Sequence, residues 1–296
     1  MPYLKKNFII FFIIPVILFL PKWIFSYNFN LEINFINQII FDFEDWQYLT
    51  LIYNFSNWDF NPSYDPELLN LKNIPIPIYS IIVHAIFFIF FNIYSFLILE
   101  FFLIVLFFLI FLNFFKKIGL NKIESLLLTL TIFSLPYLIN FFQLYELPYL
   151  PKIGELYHLR FPRPAVTHLY LFSFFLLLIS KNKKNEFKFL DLVLIGSLFS
   201  FMWGSYYYNL AISGFLFIIY YFYITNNSNQ NYSKYAKDFF SVLITFIIFS
   251  IPLILILLNS EPDYLTRVGL INLDFNKKLI ILNHLLDKLF SFKFLL

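Results

Sequence analysis

The chain has 296 residues, of which 60% are hydrophobic and 13% are charged, and its formal net charge at pH 7 is +3. A soluble domain is about half apolar and about a quarter charged, so ordinary globular packing cannot hide this much apolar surface. The composition therefore excludes an ordinary soluble domain and predicts a chain that lies mostly in lipid. Because the chain has no cysteine, disulfides, thiol nucleophiles and cysteine-ligated metal sites are excluded as well.

The first apolar run extends from Phe8 to Leu20, continues to Ile24, and follows Lys5 and Lys6. No small-residue cleavage site follows this run, so we interpret it as an uncleaved signal-anchor helix. The next segment, 21–75, has two lysines and seven acidic residues: Glu32, Asp42, Glu44, Asp45, Asp59, Asp65 and Glu67. Because lysine-rich loops tend to stay in the cytoplasm, this acidic segment is predicted to be a long outer loop.

Seven further apolar runs follow, several of them shorter than the roughly 20 residues of a full membrane crossing. They are Ile76 to Phe91, Tyr94 to Phe114, Leu126 to Phe142, Val166 to Ser180, Phe189 to Trp203, Leu210 to Ile224 and Phe239 to Leu258. With the first run they predict an all-α fold: a single-domain, polytopic membrane helical bundle of about eight hydrophobic helices. We expect this bundle to be a multi-pass integral protein of a bacterial inner membrane.

Three lysine clusters predict the sidedness of the loops: Lys116, Lys117 and Lys122; Lys181, Lys183, Lys184 and Lys188; and Lys234 with Lys237. The positive-inside rule places all three in the cytoplasm and puts 143–164, 204–209 and 259–276 on the outer side. Two crossings between Pro75 and Lys116 would conflict with this rule. We therefore interpret Ile76 to Phe91 as a re-entrant or interfacial segment, the alternative being that the charge rule fails there.

The densest polar motif is Phe41-Asp42-Phe43-Glu44-Asp45-Trp46-Gln47-Tyr48 in the outer loop. We predict a short amphipathic helix on the membrane surface, in which Asp42 and Asp45 share a face and Trp46 dips into the interface. Two carboxylates this close suit a general base or a divalent cation such as Mg²⁺ or Mn²⁺, with Asp42 and Glu44 as candidate ligands. The alternative is a solvated acidic loop that only enforces topology.

A second motif lies in the predicted outer basic loop, 143–164, and leads into an apolar run. Its candidate binding residues are Lys152, His158, Arg160 and Arg163. Arginine suits bidentate phosphate binding, and a basic cluster on the outer side opposes the usual charge bias. The alternative is an anchor that snorkels toward lipid headgroups.

Three ionisable residues, His84, Glu100 and His168, lie within or near apolar runs, where a charge is costly and a functional role is a candidate explanation. The turn at Tyr206-Tyr207-Tyr208 suits stacking on a sugar ring or a place in an aromatic belt, and we favour the belt.

This arrangement resembles the GT-C superfamily of integral membrane glycosyltransferases, which use polyprenyl-phosphate-linked sugars. The similar parts are the signal anchor, the acidic motif Asp45-Trp46-Gln47-Tyr48, the Pro-rich segment Ile74-Pro75-Ile76-Pro77-Ile78-Tyr79, and Leu159-Arg160-Phe161-Pro162-Arg163-Pro164. The chain departs from the family in ending without further helices or a C-terminal soluble domain, which suggests a partial chain.

The resemblance implies transfer of a sugar from a polyprenyl-phosphate donor to a glycan, lipid or protein acceptor on the outer face. Asp45 or Asp42 would deprotonate the acceptor, Arg160 and Arg163 would bind the leaving phosphate, and Tyr48 and Trp46 would line the substrate site. Two alternatives stay open: a transporter or flippase for an anionic lipid or solute, with Glu100 and His84 as coupling residues, and a non-catalytic membrane scaffold. The chain has no nucleic-acid signature, so we expect no nucleic-acid partner. Its apolar composition leads us to expect membrane lipid as a partner.

Overall fold

The computed structural model describes residues 13, 16–17, 46–59, 78–142, 165–181, 187–226, 232–258 and 274–291. Within these residues the secondary structure is helical throughout, with one short 3-10 turn at Asn92–Tyr94 and nine α-helices whose ends are defined. These are α1 (Trp46–Ser56), α2 (Ile78–Phe91), α3 (Ser95–Ile118), α4 (Lys122–Phe142), α5 (Ala165–Lys181), α6 (Phe189–Trp203), α7 (Tyr207–Asn226), α8 (Tyr232–Leu258) and α9 (Phe275–Ser291). The all-α prediction is confirmed for this part of the chain.

The seven apolar runs after the first one coincide with α2 to α8. Of the predicted signal anchor, the structure describes only Ile13, Val16 and Ile17, which are helical. α1 shares Trp46 to Tyr48 with the short helix predicted over Phe41 to Tyr48, and no helix was predicted at α9. α1 occupies part of the predicted outer loop 21–75 and extends well beyond Tyr48, and α9 follows the predicted outer segment 259–276.

α3 and α4 form an antiparallel hairpin. Gly119 ends α3 with a φ of 116°, a left-handed conformation that favours glycine, and its N–H bonds to the carbonyl of Lys116. Asn121 then starts α4: its side-chain oxygen accepts the N–H of Glu124 at 2.9 Å, and the Glu124 carboxylate accepts the N–H of Asn121 at 2.9 Å. This reciprocal cap, together with Phe108 packing on Phe133, sets the two helices side by side.

Helices α5 to α8 alternate in direction, so that their ends gather in two groups. At one end, the side-chain amide of Asn209 donates to the carbonyl of Thr167, at 3.5 Å, and the hydroxyls of Ser200 and Ser250 are 3.0 Å apart. The turn at Gly204 between α6 and α7 lies here as well. We call this group, with Tyr79 and Tyr206 to Tyr208, the tyrosine end.

At the opposite end, Lys181 of α5 forms an ion pair with Asp191 of α6 at 2.5 Å. The Tyr221 hydroxyl of α7 donates to the Asp238 carboxylate of α8 at 2.7 Å, and the Phe187 ring stacks on the Tyr221 ring. We call this group the lysine end, because Lys181 of α5, Lys188 just before α6, and Lys234 and Lys237 of α8 lie here. Two of the three predicted lysine clusters therefore share one end, and the predicted outer turn 204–209 lies at the other.

The helix α2 begins at the tyrosine end. The N–H of Tyr79 donates to the carbonyl of Gly204 at 3.3 Å, which fixes the start of the helix. His84 is about 7.5 Å further along the helix axis, and its ring lies 6.0 Å from the ring of Phe96 at the start of α3. The start of α3 therefore lies near the tyrosine end.

From there α3 runs toward the lysine end. Phe111 packs on Phe172 of α5 with 4.7 Å between ring centroids, and it lies about 22 Å along α3 from Phe96. If α3 ran the other way, Phe96 would lie about 30 Å from the tyrosine end, too far for its contact with α2. Lys116 and Lys117 therefore lie toward the lysine end, and whether Ile76 to Phe91 crosses the membrane stays a prediction.

The outward surface of the bundle is apolar. Along α8 the exposed side chains recur at helical spacing: Phe240, Leu243, Ile247, Ile251 and Leu255 are each between 48% and 61% exposed. α7 exposes large apolar residues in the same way, among them Ile212, Phe215, Ile219 and Phe222. Soluble monomers rarely expose contiguous apolar surface on this scale.

Two helical segments of the described residues, Ile98–Ile118 and Lys234–Leu258, are long and apolar enough to cross a membrane. Three shorter apolar segments accompany them: Ile78–Tyr94, Val166–Lys181 and Phe189–Trp203.

Candidate functional site

Most of the sequence-predicted site residues lie outside the described residues: Asp42, Glu44, Asp45, Lys152, His158, Arg160 and Arg163. Trp46 is the first residue of α1. Tyr48 is 9% exposed and belongs to the apolar core together with Leu51, Ile52 and Phe55 of the same helix. Its ring therefore contributes to the packing of α1, and its substrate-binding role remains a prediction.

Among the described residues, polar groups from several helices come together at the tyrosine end, around Tyr79. The Tyr79 hydroxyl donates to the carbonyl of Phe249 on α8, and the Tyr170 hydroxyl of α5 donates to the carbonyl of Tyr79 at 3.0 Å. A Cβ atom added at Gly204 would overlap the Tyr79 ring, so the close approach of α2 to α6 requires glycine there. Tyr79 thus ties α2, α5, α6 and α8 together.

Small residues make this convergence possible. Gly196, Ser200 and Gly204 recur every four residues along one face of α6, and a Cβ atom at Gly196 would lie 2.6 Å from the carbonyl oxygen of Val242 on α8. Such small-residue spacing lets helices approach closely and is common where helices pack in membranes. This close approach of α6 and α8 was not predicted, although the four-residue spacing of Gly196, Ser200 and Gly204 is a signal that could have indicated it.

Two serine hydroxyls next to this contact, those of Ser80 and Ser205, are buried and have no hydrogen-bond partner among the described residues. Both residues follow directly after the pair, Tyr79 and Gly204, that joins α2 to α6. The interior of the tyrosine end is therefore polar, and the hydroxyls of Tyr79, Tyr170, Ser200 and Ser250 are used to bridge helices.

The surface of the tyrosine end carries three adjacent aromatic rings. The Tyr207 and Tyr208 rings are 4.1 Å apart between centroids, and the Tyr206 and Tyr208 rings are 5.2 Å apart. Tyr206 is 38% exposed and Tyr208 is 51% exposed. Exposed tyrosine rings combine an aromatic surface with a hydroxyl group, which suits contact with a sugar ring or with the headgroup region of a bilayer.

The ionisable residues predicted within apolar helices are buried. His84 and Glu100 are each 2% exposed, and the His84 ring stacks near the Phe96 ring one helical turn before Glu100. His168 is half-buried, with its ring edge-on to Phe172 at 6.1 Å. The described residues bring no three His, Asp or Glu side chains together as a metal site, and the predicted ligands Asp42 and Glu44 are not among them.

No family model, curated protein or solved structure matches the chain.

Proposed function

We propose that the chain is a multi-pass integral membrane protein, with the tyrosine end on the outer side and the lysine end in the cytoplasm. The apolar outward surfaces of α7 and α8 support embedding in lipid. The orientation is supported by the separation of charge: the described residues 78–81, 165–167, 202–209 and 249–258 contain no Lys, Arg, Asp or Glu, whereas the lysines lie at the opposite end.

Within this orientation we propose a GT-C-like glycosyltransferase that acts on the outer face. The observation that carries this proposal is the position of the first turn of α5. The Thr167 carbonyl there accepts a hydrogen bond from Asn209, next to the exposed row Tyr206 to Tyr208. α5 begins at Ala165, two residues after Arg163 in the sequence, and its first turn lies beside this aromatic surface, which suits stacking on a sugar.

The proposed reaction is a displacement at the anomeric carbon of a polyprenyl-phosphate sugar. Asp45 or Asp42 takes the proton of the acceptor hydroxyl, whose oxygen forms the new glycosidic bond while the bond to the lipid phosphate breaks. Arg160 and Arg163, assisted by Lys152 and His158, stabilise the leaving phosphate. A divalent cation held by Asp42 and Glu44 would supply further positive charge to that phosphate.

The experiment is a transfer assay in proteoliposomes with a radiolabelled polyprenyl-phosphate sugar. Asp45→Asn should abolish transfer and leave donor binding largely intact, because it removes the base but little of the shape. Arg160→Ala should weaken donor binding instead. The matched control is Asp59→Asn, which alters an exposed acid just after α1 and should change neither quantity. If Asp45→Asn retains full transfer, Asp42→Asn should abolish it; full transfer by both variants would contradict the assignment of the base.

A second candidate is a transporter or flippase for an anionic lipid or solute, favoured by the burial of His84 and Glu100 on adjacent helices. Under this alternative Glu100→Gln should abolish movement of a fluorescent anionic lipid across the bilayer, and Asp45→Asn should have no effect on it. A chain that neither transfers nor transports would be left with the scaffold role.

A further inference from the structure

Seven lysines of the described residues belong to the lysine end, although six of them come from four different helices and the seventh directly precedes a fifth helix. They are Lys116, Lys117, Lys122, Lys181, Lys188, Lys234 and Lys237. The α3–α4 hairpin joins the first three lysines. The Lys181–Asp191 ion pair joins α5 to α6, the Tyr221–Asp238 hydrogen bond joins α7 to α8, and Phe187 stacks on Tyr221. The fold thus assembles a basic surface that no single stretch of sequence contains.

Among the described residues, three carboxylates share this end, and each has a structural partner. Glu124 accepts the N–H of Asn121, Asp191 is paired with Lys181, and Asp238 accepts the Tyr221 hydroxyl. The seven described lysines therefore outnumber the described carboxylates, which already serve the fold. The described part of this surface has a net positive charge, and Lys117, Lys188 and Lys237 are exposed on it.

Large exposed apolar side chains lie directly beside the lysines. Ile118 follows Lys117 and is 55% exposed, and Phe189 follows Lys188 and is 73% exposed. Phe240, one turn after Lys237, is 61% exposed. The same neighbourhood recurs at Lys122, which precedes the exposed Ile123. Each of these positions therefore offers a cation and an apolar contact within one helical turn.

We propose that the lysine end is a binding surface for anionic phospholipids, whose phosphate groups contact the lysines while their acyl chains lie against the neighbouring apolar residues. The combination of lysines with neighbouring exposed apolar side chains favours this partner. A nucleic acid or an acidic protein would match the charge but not the exposed Ile, Phe and Leu side chains. The inference rests on the proposed membrane embedding, and it is independent of the transferase reaction.

The test uses the full chain in a neutral detergent, titrated with dioctanoyl phosphatidylglycerol and followed by its thermal unfolding. The variant Lys188→Gln/Lys237→Gln should weaken the apparent affinity about fivefold for each lysine removed, and less at high salt. The matched control, Lys277→Gln/Lys278→Gln, removes two exposed lysines of α9 and should bind as the unaltered chain does. Lys188→Arg/Lys237→Arg keeps the charges and should also retain binding.

Three results would overturn the inference. They are equal affinity for dioctanoyl phosphatidylcholine, an equal loss in the α9 control, and equally strong binding of glycerol phosphate, which has the anion but no acyl chain. If the chain requires detergent but binds dioctanoyl phosphatidylglycerol and dioctanoyl phosphatidylcholine with equal affinity, this inference alone is wrong. If the chain stays dispersed and folded without detergent, the proposed membrane embedding, on which this inference rests, is wrong.

Discussion

The close contact between α6 and α8 at Gly196 can be tested by adding a single methyl group. In Gly196→Ala the new Cβ would lie 2.6 Å from the Val242 carbonyl oxygen and 2.8 Å from the Thr245 Cβ, so α8 must move away by roughly 1 Å to restore normal contact. Overpacking of this kind costs about 1–3 kcal/mol. Alanine has a higher helix propensity than glycine, which offsets this cost by about 1 kcal/mol.

The control is Gly214→Ala on α7, where an added Cβ meets no atom within 4 Å. This variant has the same gain in helix propensity without the clash, so the two variants should differ by about 1–3 kcal/mol in free energy of unfolding. Unfolding with increasing SDS in mixed micelles measures that difference. Equal stability of the two variants would show that α6 and α8 do not approach as closely as described.

Gly204→Ala should displace the Tyr79 ring and destabilise the bundle by about 2 kcal/mol, and in a double-mutant cycle with Tyr79→Ala the two losses should be clearly less than additive. Tyr221→Phe should cost about 1.5–3 kcal/mol, because it removes the hydrogen bond to the Asp238 carboxylate, while Tyr223→Phe, at a residue that is 62% exposed, should be close to neutral. Additive losses in the first case, or equal effects of the two tyrosine changes, would contradict these contacts.

The sequence predicted the helices better than their ends. Apolar runs locate α2, α5 and α6 within about two residues, because those helices are apolar over nearly their whole length. α8 starts at Tyr232, seven residues before the predicted run, since its first two turns are polar and Asp238 is held by Tyr221. α9 was missed because its apolar residues are interrupted by charges and follow the 3.6-residue helical period instead of a continuous run.

The convergence at the tyrosine end could not be predicted in the same way. Sequence gives the charge of each loop, from which the grouping of Lys181 and Lys188 with Lys234 and Lys237 follows by the positive-inside rule. It does not show that Tyr79 packs against Gly204, more than a hundred residues away, since that contact depends on how four helices meet. The acidic and basic motifs around Asp45 and Arg163 stand as sequence predictions, because the described residues begin just beyond each of them.

The most direct test of the account is the sidedness of the two ends. Because the chain has no cysteine, a maleimide labels only a cysteine that is introduced. Single cysteines are introduced as Tyr208→Cys at the tyrosine end and Lys237→Cys at the lysine end, both at exposed positions. Intact bacterial cells with a permeabilised outer membrane are then treated with a maleimide that cannot cross the inner membrane. The account predicts labelling at position 208 in intact cells and at position 237 only after the inner membrane is opened. Labelling of both positions from the same side, or the reverse pattern, would contradict it.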